Sequence, residues 1–116
     1  MNILIIEDQK MILEIVARLC QNHGDHFIAT AESIAAADKA LSGFTPDMVI
    51  SDNRLPDGQG PSLFSAIRAK NPKVFIALMS GDHKEPEGHI ADVFLKKPIP
   101  RVELHAILSQ VQDRPH

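Results

Sequence analysis

Glu7 and Asp8, Asp52, Ser80 and Lys97 are far apart in the chain, yet each follows a short apolar run. An acid at the end of a buried strand costs stability unless something there uses it. Taken alone, Asp52 has an ordinary alternative as a turn or capping residue. Three carboxylates brought together repel, and without a cation at least one has its pKa raised. A hard dication relieves this, and Mg²⁺ suits one or two carboxylates together with a phosphate oxygen and waters. A lysine and a hydroxyl on the opposite side suit an anion with several oxygens. Phosphoryl transfer uses such a set: a nucleophile in line, a metal on the phosphoryl oxygens, and a cation for the developing charge.

These residues need elements to position them. Residues 3–6 are uniformly apolar, as in a strand buried on both faces. A helix is expected over residues 10–22, with Met11, Ile12, Ile15, Val16 and Leu19 as its apolar face and Glu14, Arg18 and Gln21 opposite. Residues 26–30 make a weaker strand, placed at the sheet edge. A second helix spans residues 33–42 and closes at Gly43. The run 48–50 is a buried strand that ends in Asp52, followed by a loop rich in Pro, Asp and Gly. A third helix starts at Pro61, where the missing N–H costs nothing, and stops at Asn71-Pro72. Residues 74–79 form a fourth strand ending at Ser80-Gly81, and residues 93–95 a fifth ending at Lys96-Lys97-Pro98. The last helix begins near Pro100 and buries Leu104, Ile107, Leu108 and Val111; the tail 112–116 is expected to fray. Strands alternating with helices over short connections mean a parallel sheet with helices on both faces. Ligands of such sheets sit outside the C-terminal strand ends, where the strand order reverses.

Composition narrows the function classes. With 116 residues, 44% apolar and 23% charged, the chain has the balance of an ordinary globular domain with one core. A formal net charge of −3 argues against a nucleic-acid domain. Cys20 is the one cysteine, so no disulfide forms within the chain; its position on the apolar side of the first helix marks a small buried hydrophobe. No apolar run reaches membrane-spanning length, and no basic segment precedes the first one. The expected location is the cytoplasm, away from membranes. The six histidines show no metal-ligand spacing, and His83 and His89 lie in a polar stretch.

The order Glu7-Asp8, Asp52 with Pro56 and Gly60 behind it, Ser80-Gly81 and Lys97-Pro98 resembles the CheY-like receiver domain of two-component response regulators, over essentially the whole chain. The resemblance implies a flavodoxin-like five-stranded parallel sheet, order 2-1-3-4-5, with residues 1–116 as a single receiver domain. It implies Asp52 as phosphoacceptor, taking its phosphoryl group from a sensor histidine kinase or a histidine phosphotransfer protein. Asp8 would ligate Mg²⁺ directly and Glu7 through water, with Asp52 and the Arg54 backbone carbonyl as further ligands. Lys97 would pair with the phosphoryl group, ahead of a cis peptide bond to Pro98. Ser80 would be the switch hydroxyl and Phe94 the switch aromatic residue. Output would pass by conformational change to an unidentified downstream protein. Such a domain is not an enzyme in the ordinary sense: it phosphorylates itself and loses the phosphate slowly.

One departure stands out. Ser80 and Lys97 are 17 positions apart, shorter than receivers usually have, and the segment between contains Pro86 and Gly88. The fourth helix is therefore expected to be absent or one short turn, and residues 82–91 to become ordered when Ser80 captures phosphate. Two competing readings remain at this point. One is a pseudo-receiver, a binding scaffold that signals without phosphate. The other is a small Mg²⁺-dependent phosphohydrolase, which would need a general acid beside Asp52, with Asp57 in the following loop as the one candidate.

Overall fold

The computed structural model describes residues 1–81, 88 and 90–114. Its centre is a parallel sheet in the order β2-β1-β3-β6-β7, formed by β1 (Asn2–Ile6), β2 (Phe27–Ala31), β3 (Met48–Asp52), β6 (Phe75–Ser80) and β7 (Val93–Lys96). This is the expected flavodoxin-like order. Among the described residues, four α-helices connect and cover the strands: α1 (Lys10–His23), α2 (Ile34–Gly43), α3 (Phe64–Lys70) and α4 (Arg101–Gln112).

The uniformly apolar runs are explained by two cores. Ile3 and Ile5 of β1, with Met48 and Ile50 of β3, face α1 and α4 and pack with Leu13, Val16, Cys20, Leu104 and Leu108. Leu4, Ile6 and Val49 face the other way and pack with Ala37, Leu41, Phe64 and Ile67 of α2 and α3. Successive strand residues point to opposite faces, so a strand covered on both sides must be apolar throughout. β1 pairs with β2 on one side and β3 on the other, both parallel. The chain therefore reverses its winding between β1 and β3, and their C-terminal ends form a crevice there.

Several local expectations are corrected. The buried ridge of α1 is Leu13, Val16 and Cys20, whereas Met11 and Ile15 are 75% and 54% exposed. The apolar stripe of α1 is wider than the sheet can cover, and Leu13, left out of the expected face, takes the central place. The loop after Asp52 contains an antiparallel hairpin, β4 (Arg54–Leu55) with β5 (Gly58–Gln59). The third helix opens with a 3-10 turn at Gly60–Leu63 before α3 begins. The expected loss of the fourth helix, and the ordering of residues 82–91, fall mostly on residues 82–87 and 89, outside the described residues.

Candidate functional site

The four strand ends nearest the crevice deliver the reactive side chains. Glu7 follows β1 and is fully buried; its backbone N–H donates to the Ala31 carbonyl. Asp8 is exposed beside it. The N-cap position of α1 is Gln9 and carries no side-chain cap bond, so Asp8 does not serve as the helix cap. Asp52 ends β3 and Ser80 ends β6, both buried. β6 and β7 pair up to Ser80 opposite Lys96, and the Lys97 N–H donates to the Ser80 carbonyl at 2.8 Å. The sheet thus carries Lys97 to the level of Asp52. The Lys97–Pro98 peptide is cis.

Lys97 reaches across the crevice. Its Nζ lies 2.5 Å from Glu7 Oε1 and 3.1 Å from Asp52 Oδ2. The other oxygen of Asp52, Oδ1, accepts the Asn53 N–H at 2.9 Å. Burial pushes the Glu7 carboxyl up from an ordinary 4.5 to about 7; the hydrogen bond and charge of Asp52 add to the rise, and Lys97 opposes it. For Lys97, burial acts to depress the ammonium, but hydrogen bonds to Glu7 and Asp52 and the charges of both outweigh it and raise its pKa. One ammonium therefore faces more negative charge than it can neutralise.

One oxygen from each of Glu7, Asp8 and Asp52 lies within 4.8 Å of the others. An all-oxygen, anionic donor set of this spacing suits a hard dication rather than a softer metal, and the uncompensated charge gives such an ion a reason to bind. Beside the carboxylates is a solvent-open depression of about 300 Å³ lined by Gln9, Asp52, Asn53, Arg54, Ser80, Gly81 and Lys97. Arg54, at the start of β4, is exposed on its rim. Phe94, in β7, is half-buried against the core on the α2–α3 side.

The hairpin after Asp52 is held at both ends. The Gly60 N–H donates to the Asn53 carbonyl at 3.0 Å, and the Asn53 N–H to that of Met79 at 3.0 Å. A Cβ on Gly60 would overlap the Asp52 carbonyl oxygen and lie 2.5 Å from Ser51 Oγ, so this close approach requires glycine. At the hairpin tip, Asp57 accepts the Ile34 N–H at 2.8 Å and the Ala35 N–H at 3.0 Å. It thereby caps α2 from another element, and those backbone donors hold its carboxyl below the ordinary range. Asp57 is thus occupied at α2 rather than placed beside Asp52, which removes the one general-acid candidate of the phosphohydrolase reading. Asn53 and Gln9 also line the depression, and neither belongs to the sequence pattern that marks the site. Adjacency to Asp52 is the signal for Asn53; Gln9 has none beyond following Glu7-Asp8.

A second concavity, apolar and of about 320 Å³, lies between α1 and the β7–α4 connection, lined by Ile12, Ile15, Val16, Leu19, Lys97, Pro98 and Ile99. Lys97 lines both it and the carboxylate depression. Among the described residues, no helix is long and apolar enough to cross a membrane.

Comparison with known proteins agrees with this architecture. The transcriptional regulatory protein DpiA of Escherichia coli (strain K12) is 30% identical over 122 residues, covering 100% of this chain and 54% of that protein. The response regulator Rre1 of Synechocystis sp. is 28% identical over 120 residues, covering 97% of this chain and 52% of Rre1. The chain thus spans about half the length of these curated relatives. The CheY-like response regulator receiver domain from Methylobacillus flagellatus superposes with a TM-score of 0.85 at 27% identity, covering 95% of this chain and 97% of that one. Residues 3–109 match the model of the response regulator receiver domain, and the chain belongs to that family.

Proposed function

We propose that this chain accepts a phosphoryl group on Asp52 from a phosphohistidine of a sensor histidine kinase or histidine phosphotransfer protein, in an Mg²⁺-dependent step, and signals to a partner protein by conformational change. The observation that carries the reading is Asp52 held between Lys97 and the Asn53 N–H, with Glu7 and Asp8 within reach of one ion. A carboxylate oxygen of Asp52 attacks phosphorus, the P–N bond to the donor imidazole breaks, and the imidazole leaves with the electron pair. An acyl phosphate on Asp52 results. Glu7, Asp8, Asp52 and the Arg54 carbonyl would hold Mg²⁺, which supplies charge neutralisation on the phosphoryl oxygens. Lys97 would exchange its carboxylate contacts for phosphoryl oxygens. Ser80, at the strand end beside the depression, is the hydroxyl assigned to follow the phosphate, and Phe94 the aromatic side chain that follows Ser80.

Converting the Asp52 carboxylate into an acyl phosphate dianion adds about one negative charge and new acceptor oxygens, and that change must bias a two-state element to be read. The donor protein is assigned to the apolar groove of α1. Continuity supports this: the groove shares Lys97 with the depression, so a protein seated on Ile12, Ile15 and Leu19 can present a histidine to Asp52.

The test is beryllofluoride with Mg²⁺, a phosphoryl mimic, followed by amide spectra of wild type and Asp52→Ala. Shifts around Asp52, Ser80 and Lys97 that vanish in the variant or without Mg²⁺ are expected. A well-folded wild type with no shifts would replace the reading with that of a phosphate-independent scaffold.

A further inference from the structure

β3 and β7 open in the same way. Asp47 stands one residue before β3; its N–H donates to the Asn2 carbonyl at 2.8 Å, and its Oδ2 accepts the Asn2 N–H at 2.7 Å. Asp92 stands one residue before β7; its N–H donates to the Ile76 carbonyl at 2.8 Å, and its Oδ2 accepts the Ile76 N–H at 2.8 Å. Each aspartate thus closes a ring with one residue of the neighbouring strand, β1 or β6. The Phe75 N–H donates to the Asp47 carbonyl at 3.0 Å, which ties β6 into the same row. Asp52 lies five positions after Asp47, and Lys97 five after Asp92. The two side chains that meet at 3.1 Å therefore each sit at the far end of a strand that begins on such a ring.

Asp92 has a further hold. Arg68 of α3 donates from Nη2 to Asp92 Oδ2 at 3.0 Å and to the Ile90 carbonyl at 2.6 Å, and from Nη1 to the Val74 carbonyl at 3.1 Å. One rigid, forked guanidinium grips the chain on its way into β6 and again on its way into β7.

Register needs this help at β7. The strand has four residues and lies at the sheet edge. Its apolar alternation does not fix its place. Leu95 sits in the core on the α1–α4 side and Val93 packs against it, and Ala91 precedes them at the same spacing. A slip of two residues toward the crevice keeps an apolar side chain at both places. It also carries Lys97 past Asp52 by about 7 Å, at the usual strand rise. The opposite slip is barred, because it would bury Lys97 at the place of Leu95. Against the slip toward the crevice stands Asp92, which cannot advance without giving up both bonds to Ile76 and its contact with Arg68.

We propose that Asp92, gripped by Arg68, is a positioning residue: it sets the register of β7 and so the height at which Lys97 meets Asp52. The consequence for phosphoryl binding rests on the function proposed above; the register does not. The side chains of Arg68 and Asp92 are 26% and 36% exposed, so their ion pair adds little to stability. Its effect is carried by geometry instead.

The experiment compares wild type, Asp92→Ala, Asp92→Asn and Arg68→Met, first as metal-free chains by NMR, then by titration with beryllofluoride and Mg²⁺. In wild type, cross-strand contacts are expected between Ala77 and Val93 and between Ser80 and Lys96, with a distinct Lys97 ammonium signal. Asp92→Ala should weaken or displace those contacts and move the Lys97 signal. Its beryllofluoride Kd should rise about tenfold, because small misplacements of a binding group are costly. Asparagine keeps an oxygen for both the Ile76 N–H and Arg68, so Asp92→Asn should restore contacts and affinity. Arg68→Met leaves the ring with Ile76 in place and should move each readout the same way by less; it carries the test if Asp92→Ala does not fold. Asp57→Ala controls for lost stability and should leave the β6–β7 contacts and the Lys97 signal unchanged. Unchanged contacts and Lys97 signal in Asp92→Ala and Arg68→Met, an unchanged Kd where they do change, or an equal shift in Asp57→Ala would overturn the proposal. A wild type that shows this register but binds no beryllofluoride would end the phosphoacceptor reading instead, and the metal-free spectra would still decide the register.

Discussion

Lys97 Nζ sits 2.5 Å from Glu7 Oε1, against 3.1 Å from Asp52 Oδ2, so the ammonium is held more closely by the fully buried acid than by the assigned phosphoacceptor. Removing it leaves buried negative charge without a partner. Lys97→Ala is expected to cost about 1–3 kcal/mol at pH 8, and less at pH 5.5, where Glu7 takes up a proton. Urea unfolding at the two pH values measures the difference.

Glu7 itself makes metal-free stability depend on pH. Its folded pKa of about 7 exceeds the ordinary 4.5, so between those values the folded state holds more protons than the unfolded one. Stability is then full below pH 4.5 and is lost as pH rises through 7. The loss from this group reaches about 3 kcal/mol. Without divalent ions, unfolding free energy should fall from pH 5 to pH 8, and Glu7→Gln should flatten the slope. Added Mg²⁺ should restore stability most at the alkaline end, where the carboxylates are ionised.

The apolar groove separates two routes to Asp52. Ile15 is half-exposed and contributes little to the core, so Ile15→Asp should alter stability by no more than about 0.5 kcal/mol. Transfer from a phosphohistidine protein should fall at least tenfold in rate, while labelling by acetyl phosphate, which needs no docking, stays at wild-type rate. Equal loss by both donors would place the defect at Asp52 instead.

Gly60 is a test of close approach. Gly60→Ala forces a methyl group onto the Asp52 carbonyl oxygen, and overpacking of this kind costs about 1–3 kcal/mol. Because the displaced atom belongs to the proposed phosphoacceptor residue, the beryllofluoride response should weaken together with stability. Urea titration and amide spectra of the same sample report both effects.

Asp57 should couple the hairpin to α2. Its carboxyl is held low by the N–H groups of Ala35 and Ile34, so its contribution is present above the ordinary carboxylate pKa and is lost as pH falls through the lowered value. Asp57→Ala is expected to lower Tm and to raise amide exchange at Ile34 and Ala35. Little change should occur at Lys97, which lies on the other side of Asp52.

Much of this architecture is legible in the residues themselves. Ile3 to Ile6, Met48 to Ile50 and Phe75 to Met79 are apolar at every position, or nearly so, because both sheet faces are covered. Each reactive side chain follows such a run, so the convergence at the crevice could be anticipated from strand order alone. The register of α1 could not: Met11, Ile15 and Leu13 have similar hydropathy, and the sheet decides which ridge it covers. The β4–β5 hairpin has strands of two residues, too short for any periodicity to register. Asp57 at the start of α2 and His23 beside Ser109 join positions 23 and 86 apart, contacts that only the folded chain creates.

The backbone bond from Lys97 to the Ser80 carbonyl closes the intervening chain into a loop whose two stems belong to the sheet. The loop's length is then decoupled from the geometry at its base. Doubling such a loop costs only about 0.6 kcal/mol in closure entropy, so residues can be gained or lost between the stems while lysine and serine keep their places. A chain built this way tolerates insertion and deletion between two fixed anchors, as a hinge tolerates doors of different width, leaving the geometry at its root untouched.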